Sequence, residues 1–175
     1  MKFQLFFVTF IMLKRKNMCL LSNRKTLKTA KEDIKCFKRF EFFQYGGDNI
    51  AFRTPYLFAP VPNDVMLGKQ EYFAVGDLNI EENGTELYSP YKYRYRIYGG
   101  VIHCYLNQKD AIAQQCSDEI VVECIIPNGT EYIEGYDCYG VKSISAKKIK
   151  VVTAFKDETE LKNKILEETK IFYML

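Results

Sequence analysis

Several residue types on which common functional sites depend are scarce or absent in this chain of 175 residues. It contains one histidine, His103, and none of its six cysteines forms a Cys-x-x-Cys pair. The sequence therefore offers no recognisable zinc-ligand set, and we predict no metal site. Tryptophan is absent as well, so tyrosine and phenylalanine must supply most of the bulk of the core.

The chain also lacks a hydrophobic run that is long enough to cross a membrane. Residues 3–13 are almost entirely apolar, but a transmembrane helix needs about 20 such residues. Basic residues follow at 14–16, where small residues should precede a signal-peptide cleavage site. We expect no transmembrane anchor and a cytoplasmic location, although a weak N-terminal signal or membrane anchor stays open.

The composition is that of one folded domain. An apolar fraction of 47% is ample for a hydrophobic core in a chain of this length. We divide the chain into a basic and apolar extension at 1–23, a core domain at 24–155 and a C-terminal helix at 156–175. The extension is either a disordered tail or the product of a misplaced start, with Met18 as the true first residue.

The net charge of +3 conceals a strong asymmetry along the chain. Residues 1–40 contain eleven Lys or Arg against only Glu32 and Asp33, whereas the remainder is acidic. A basic arm of this kind binds phosphates or an anionic membrane surface. It is equally typical of a solvated tail without a partner.

The fold class predicted from these patterns is α+β: a single domain with a mainly antiparallel sheet of about five to seven short strands. A short helix follows the His103 strand, beginning at Asn107, and an amphipathic helix closes the chain, capped by Asp157. The predicted strands are Ile34–Tyr45, Glu71–Val75, Tyr91–Arg96, Val101–Tyr105, Glu119–Ile126 and Ser143–Val152, with extended loops at 53–68 and 76–84.

The segment 91–96 alternates tyrosine with basic residues, and alternate side chains of a strand point to opposite faces. Lys92, Arg94 and Arg96 therefore share one face, and Tyr98 has the same parity. One interpretation is a half-buried strand with its basic face in water. The other is a cationic platform for a nucleic-acid backbone or a phosphorylated ligand.

His103 is the most distinctive candidate for a site, although a lone histidine on an apolar strand is more often structural. Ser143 and Ser145 share one face of a later strand and are candidates to donate hydrogen bonds to a ligand. Cysteines inside apolar patterns usually behave as small buried hydrophobes, so we expect reduced thiols.

Three blocks of the chain resemble a family of small uncharacterised proteins carried by gut bacteria and their phages. They are the segments 98–111, 120–132 and 142–149, and residues 30–38 are similar to that family as well. The resemblance implies no particular activity.

A weaker resemblance is to ADP-ribosyltransferase-like domains, in which short strands around a split sheet bind NAD. That resemblance implies that His103 holds the nicotinamide ribose and that Glu123 or Glu131 polarises the ribose at the reacting carbon. NAD would then be the cofactor; the alternative is that the protein has no cofactor.

The sequence therefore leaves several functions open. The favoured hypothesis is a non-catalytic binding module for an anionic small molecule, a nucleic acid or a host protein surface, with Tyr98, His103 and the basic strand as its ligand contacts. The others are an NAD-using transferase and a structural or interaction protein without a pocket. The favoured hypothesis requires that His103 and the basic strand border one accessible hollow.

Overall fold

The computed structural model of the protein describes residues 20–45, 49–55, 57–82, 93–152 and 155–173. In this part of the chain there are thirteen strands and three helices. The strands are β1 (Leu20–Ser22), β2 (Lys28–Thr29), β3 (Ile34–Tyr45), β4 (Asn49–Arg53), β5 (Pro60–Val61), β6 (Tyr72–Phe73), β7 (Asn79–Glu82), β8 (Tyr95–Tyr98), β9 (Ile102–Tyr105), β10 (Glu119–Ile126), β11 (Glu131–Tyr136), β12 (Lys142–Ala146) and β13 (Lys148–Val151). The helices are α1 (Asn63–Met66), α2 (Gln108–Ala113) and α3 (Glu158–Tyr173).

Ten of the strands follow one another in the hydrogen-bonded order β6-β13-β10-β3-β9-β12-β11-β1-β8-β7. Every pairing along this path is antiparallel. The path curls into an open half-barrel. The other three strands branch from it, since β2 pairs with β11, β4 pairs with β3, and β5 pairs with β4.

The predicted α+β class with five to seven strands is therefore wrong. The described part of the chain is mostly antiparallel sheet, with more strands than predicted and three helices, of 4, 6 and 16 residues. Strands of two to four residues, such as β2, β5 and β7, are too short to show the alternation that identifies a strand in a sequence. The predicted loops at 53–68 and 76–84 contain β5, α1 and β7.

The longer elements agree with their predictions. β3 and β10 have the predicted bounds, because each is a run of β-branched or aromatic residues that is long enough to be recognised. The predicted strand 143–152 is two strands, β12 and β13. They separate at Lys147, whose N–H donates to the carbonyl of Glu131 while its own carbonyl accepts from the N–H of Ala74.

The end of the predicted N-terminal extension belongs to the sheet. In β1, Leu20 lies opposite Ile97 of β8, and Leu21 lies opposite Tyr136 of β11. Both leucines are buried. The start-site hypothesis and the apolar segment 3–13 lie outside the described residues.

The main hydrophobic core lies on one face of β3, β9, β10, β12 and β13 and is closed by the C-terminal helix. Three buried thiols belong to it, one from each of the adjacent strands β9, β3 and β10: Cys104, Cys36 and Cys124. The predicted cap of α3 is confirmed, because the N–H of Glu160 donates to the Asp157 carboxylate at 2.9 Å.

Gly135 in β11 marks the closest approach between this strand and β1. A Cβ atom at this position would overlap the backbone carbonyl oxygen of Leu21 and contact the side chain of Leu20. A backbone atom cannot move aside as the end of a flexible side chain can. The absence of a side chain at Gly135 therefore allows β1 to join the sheet.

We expect Gly135→Ala to lower the free energy of unfolding by about 1–3 kcal/mol, the usual range for overpacking. The control is Gly129→Ala in the turn before β11, where φ is +81° but no atom lies within 4 Å of the added Cβ. That variant should lose only about 1 kcal/mol through backbone strain. Urea unfolding of both variants measures the difference, and equal losses would contradict the close approach at Gly135.

Candidate ligand-binding site

A fork in the sheet positions the candidate site. One edge of β3 pairs with β10 along residues 34–41. The other edge of β3 pairs with two different strands. Phe37 lies opposite Tyr105 of β9, and Glu41 lies opposite Arg53 of β4. β9 and β4 therefore meet the same edge of β3 on either side of residues 38–40, and the sheet opens between them.

A cavity of about 100 Å³ lies at this fork. Its wall combines the middle of β3, the start of β9, the ends of β8 and β12, the strand β6 and the loop after β4. The polar residues of the wall are Lys38, Thr54, Tyr72, Tyr98, His103 and Ser145, and the apolar ones include Leu20, Ile97 and Ile102. None of the described residues that line it carries a carboxylate.

The imidazole of His103 is buried at both of its nitrogen atoms. Neither nitrogen has a hydrogen-bond partner in the described part of the protein. Burial lowers the pKa of His103 to about 3, and the positive charges of Lys38 and Arg39 act in the same direction. The ring is therefore neutral at physiological pH, with one nitrogen as a donor and the other as an acceptor.

Ser145 lies directly opposite His103 in the register of β12 and β9. Its side chain is 1% exposed, and its hydroxyl also has no partner among the described residues. Buried polar atoms in proteins are almost always hydrogen-bonded to protein, to ordered water or to a ligand. Two neighbouring exceptions in the wall of one cavity indicate a place where a small polar molecule binds.

Lys38 supplies a positive charge to the same wall. The residue is 4% exposed, and burial lowers the pKa of its amine, with Arg39 contributing in the same direction. Glu119, whose negative charge raises the pKa of Lys38, is held at 3.1 Å by Arg39. No ion pair joins Lys38 to an acidic residue in the described ranges, and its Nζ lies 5.7 Å from the centre of the Phe40 ring.

Tyr72 and Tyr98 complete the polar part of the wall. Burial raises the pKa of the Tyr72 phenol, and the neighbouring Thr54 side chain opposes this effect. Tyr98 is 39% exposed, and its hydroxyl donates to the Glu81 carboxylate, a contact that raises the pKa of the phenol. Tyr98 therefore lies at the mouth of the cavity rather than at its base.

None of the described residues of the predicted basic strand 91–96 lines the cavity, whereas Tyr98, which follows it, does. Arg94 and Arg96 are exposed and do not line it, while Lys92 lies outside the described residues. β7 also offsets their charge, because Glu82 accepts from Arg94 at 3.2 Å and Glu81 lies opposite Arg96. The geometry brings together Tyr98, His103 and Ser145, and it leaves the arginines on a mixed-charge surface.

Ser143 faces a different environment from Ser145. Its hydroxyl donates to the carbonyl of Val141 at 2.9 Å, and it does not line the cavity. Its role is structural, since that hydrogen bond ties the start of β12 to the preceding turn.

The two glutamates suggested by the ADP-ribosyltransferase resemblance do not approach His103 in the way that a catalytic pair would. Glu123 pairs with Lys35 at 2.7 Å, and two strand spacings separate its strand from that of His103. Glu131 is exposed at the start of β11. Neither residue lines the cavity.

The sequence interpretation missed Lys38, the residue that gives the cavity its charge. The signal was its parity: Cys36, Lys38 and Phe40 alternate along β3, so Lys38 shares the face of two core residues. A lysine on an apolar face is unusual, since lysine is almost never fully buried without a partner. The basic residues around it concealed that signal.

No protein-family model, curated protein or solved structure matches the chain. The two resemblances noted in the sequence therefore stay predictions, and the functional argument depends on the geometry of the cavity. Among the described residues, no helix has the length and apolar character needed to cross a bilayer. No group of three or more His, Cys, Asp or Glu side chains in this part of the chain is arranged to hold a metal ion.

The lowered pKa of His103 has a direct consequence for acid stability. The unfolded chain binds a proton near the ordinary histidine pKa of 6.5, while the folded protein resists it until about 3. This contribution to the free energy of unfolding is therefore fully present above pH 6.5 and is lost as the pH falls towards 3. The loss is about 1.4 kcal/mol per pH unit, a few kcal/mol in total.

We expect His103→Gln to remove this part of the pH dependence of unfolding. Because the chain has one histidine, the difference between the two proteins across this range isolates its contribution from that of the carboxylates. The measurement is urea unfolding at several pH values, supported by the histidine proton resonances in NMR. An imidazole that titrates near 6.5 in the folded protein would contradict its burial.

Proposed function

We propose that the protein is a non-catalytic binding module that captures a compact anion in the cavity at the fork of β3, β4 and β9. The observation that carries this proposal is the set of three polar residues in one wall: Lys38, which has no carboxylate partner in the described structure, and His103 and Ser145, whose buried polar atoms are unpaired. A ligand with acceptor oxygens offers a partner to the amine, to the imidazole N–H and to the hydroxyl.

The size of the cavity supports a small ligand. Sites for drug-sized molecules and cofactors usually enclose about 300–1,000 Å³, well above the volume here. A cavity of about 100 Å³ suits a small carboxylate or another compact oxyanion. It does not suit NAD, and this is the main argument against the transferase alternative.

The charge distribution supports a pocket ligand over a macromolecular surface. A nucleic-acid backbone requires a continuous run of unopposed cations, whereas Arg94 is paired with Glu82 and Arg96 lies opposite Glu81. Recognition of a host protein has no comparable support among the described residues. A purely structural role leaves water as the partner of the unpaired polar atoms of the cavity.

We also propose a cytoplasmic location. The three cysteines buried in the core, Cys36, Cys104 and Cys124, are free thiols, and disulfides persist mainly in oxidising compartments.

The direct test is thermal unfolding in glycolate, sulfate or inorganic phosphate at constant ionic strength, with chloride as the reference. A ligand that binds only the folded state stabilises it by about 2.7 kcal/mol at a hundredfold excess over Kd. At least one of the three anions should raise Tm. Equal Tm values in all four salts would overturn the proposal.

Lys38→Met separates binding from folding. The methionine keeps the length of the side chain but removes a buried amine without a partner, so the free energy of unfolding should rise by about 1–3 kcal/mol. The same variant should lose the stabilisation by anions, while the exposed Lys150→Met control should keep it. Loss of stability in Lys38→Met would show that the amine has a structural partner instead.

The pH dependence of binding follows from the lowered pKa of Lys38. An anion favours the protonated amine, so binding takes up a proton and weakens as the pH rises. Calorimetry in buffers of different ionisation enthalpy measures that proton uptake. Proton release on binding would contradict the role assigned to Lys38.

A further inference from the structure

We infer that the preferred ligand is a small 2-oxo acid, held by a reversible imine between the Nζ of Lys38 and the keto or aldehyde carbon of the ligand. This inference rests on the proposed function and assigns a chemical class to its ligand. It adds a covalent contact to the anion site described above.

The first requirement for imine formation is an unprotonated primary amine, because only the free base attacks a carbonyl carbon. Burial and the charge of Arg39 lower the pKa of the Lys38 amine, so its free base forms more readily than that of an exposed lysine, and no acidic residue of the described chain pairs with it. Lysines in desolvated sites are the usual nucleophiles of this type in proteins.

The second requirement is a position for the carboxylate of the ligand. Ser145 provides a hydroxyl donor, and the neutral His103 beside it provides one further N–H. Both residues belong to the same cavity wall as Lys38. An aldehyde or ketone without a carboxylate leaves these donors unpaired, so an oxo acid should be preferred over a simple carbonyl compound.

The third requirement is exclusion of bulk water, which otherwise returns an imine to amine and carbonyl. The wall supplies this through Leu20, Ile97 and Ile102, which are all buried. In the reaction the amine nitrogen bonds to the carbonyl carbon, the carbonyl oxygen leaves as water, and the two protons of that water come from the amine. No oxidant or reductant is consumed.

The experiment uses the full chain with glyoxylate and cyanoborohydride. The reductant delivers hydride to the imine carbon and converts it to a stable carboxymethyl amine, which peptide mass spectrometry locates. We expect Lys38 to be modified several times faster than the exposed Lys150 in the same sample, since a lowered pKa leaves a larger fraction of the amine unprotonated. Excess glycolate, which has no carbonyl carbon to react, should slow the modification of Lys38 and leave that of Lys150 unchanged.

Lys38→Arg keeps a cation of similar length and removes the nucleophile. It should bind glycolate but form no adduct at this position. Modification of Lys38 no faster than that of Lys150 would overturn the imine. If anions still raise Tm in that case, the anion site stands without the covalent step; if they do not, both proposals fall.

Discussion

The organisation of this protein depends on how two strands share one edge of β3. That strand is twelve residues long, longer than any strand that pairs with it, and its far edge pairs with β10 along residues 34–41. On the near edge, β9 and β4 each cover only part of the length. Residues 38–40 lie between the two pairings, and the cavity lies beside them.

Other buried charged residues of the protein have hydrogen-bond or ion-pair partners. On the opposite face from Lys38, Arg39 pairs with Glu119, whose carboxylate also accepts from the N–H of Cys116. Asp137 accepts from two backbone N–H groups and from the hydroxyl of Tyr105. Buried ionic groups persist when their hydrogen bonds are complete. Of the four described residues with unpaired buried side-chain atoms, three, Tyr72, His103 and Ser145, line the cavity.

The sequence predicted the parts of the fold that are encoded locally. The strands β3 and β10 and the cap of α3 depend on runs or spacings of a few nearby residues, and these predictions are confirmed. The fold class was wrong because most of the remaining strands are too short to form a pattern of their own. Their pairing partners lie far away in the sequence: β1, for example, joins β8 and β11.

The candidate site was predictable to a similar extent. His103 stood out as the only histidine in the sequence, and Ser145 was selected by its parity. Lys38 was overlooked, because its importance comes from the divergence of two distant strands rather than from its neighbours. Arg94 and Arg96 were predicted to contact a ligand, because the sequence around them does not reveal that Glu81 and Glu82 lie on the neighbouring strand β7.

The reactivity of the three buried thiols reports when the main core opens. Cys36, Cys104 and Cys124 lie on three adjacent strands, and all are fully enclosed. Burial raises the pKa of Cys124, and the contact with Cys104 does the same for Cys36. An alkylating reagent reaches them only when the face of β9, β3 and β10 that carries them is uncovered. The rate at which these three cysteines become labelled therefore times the opening of the main core.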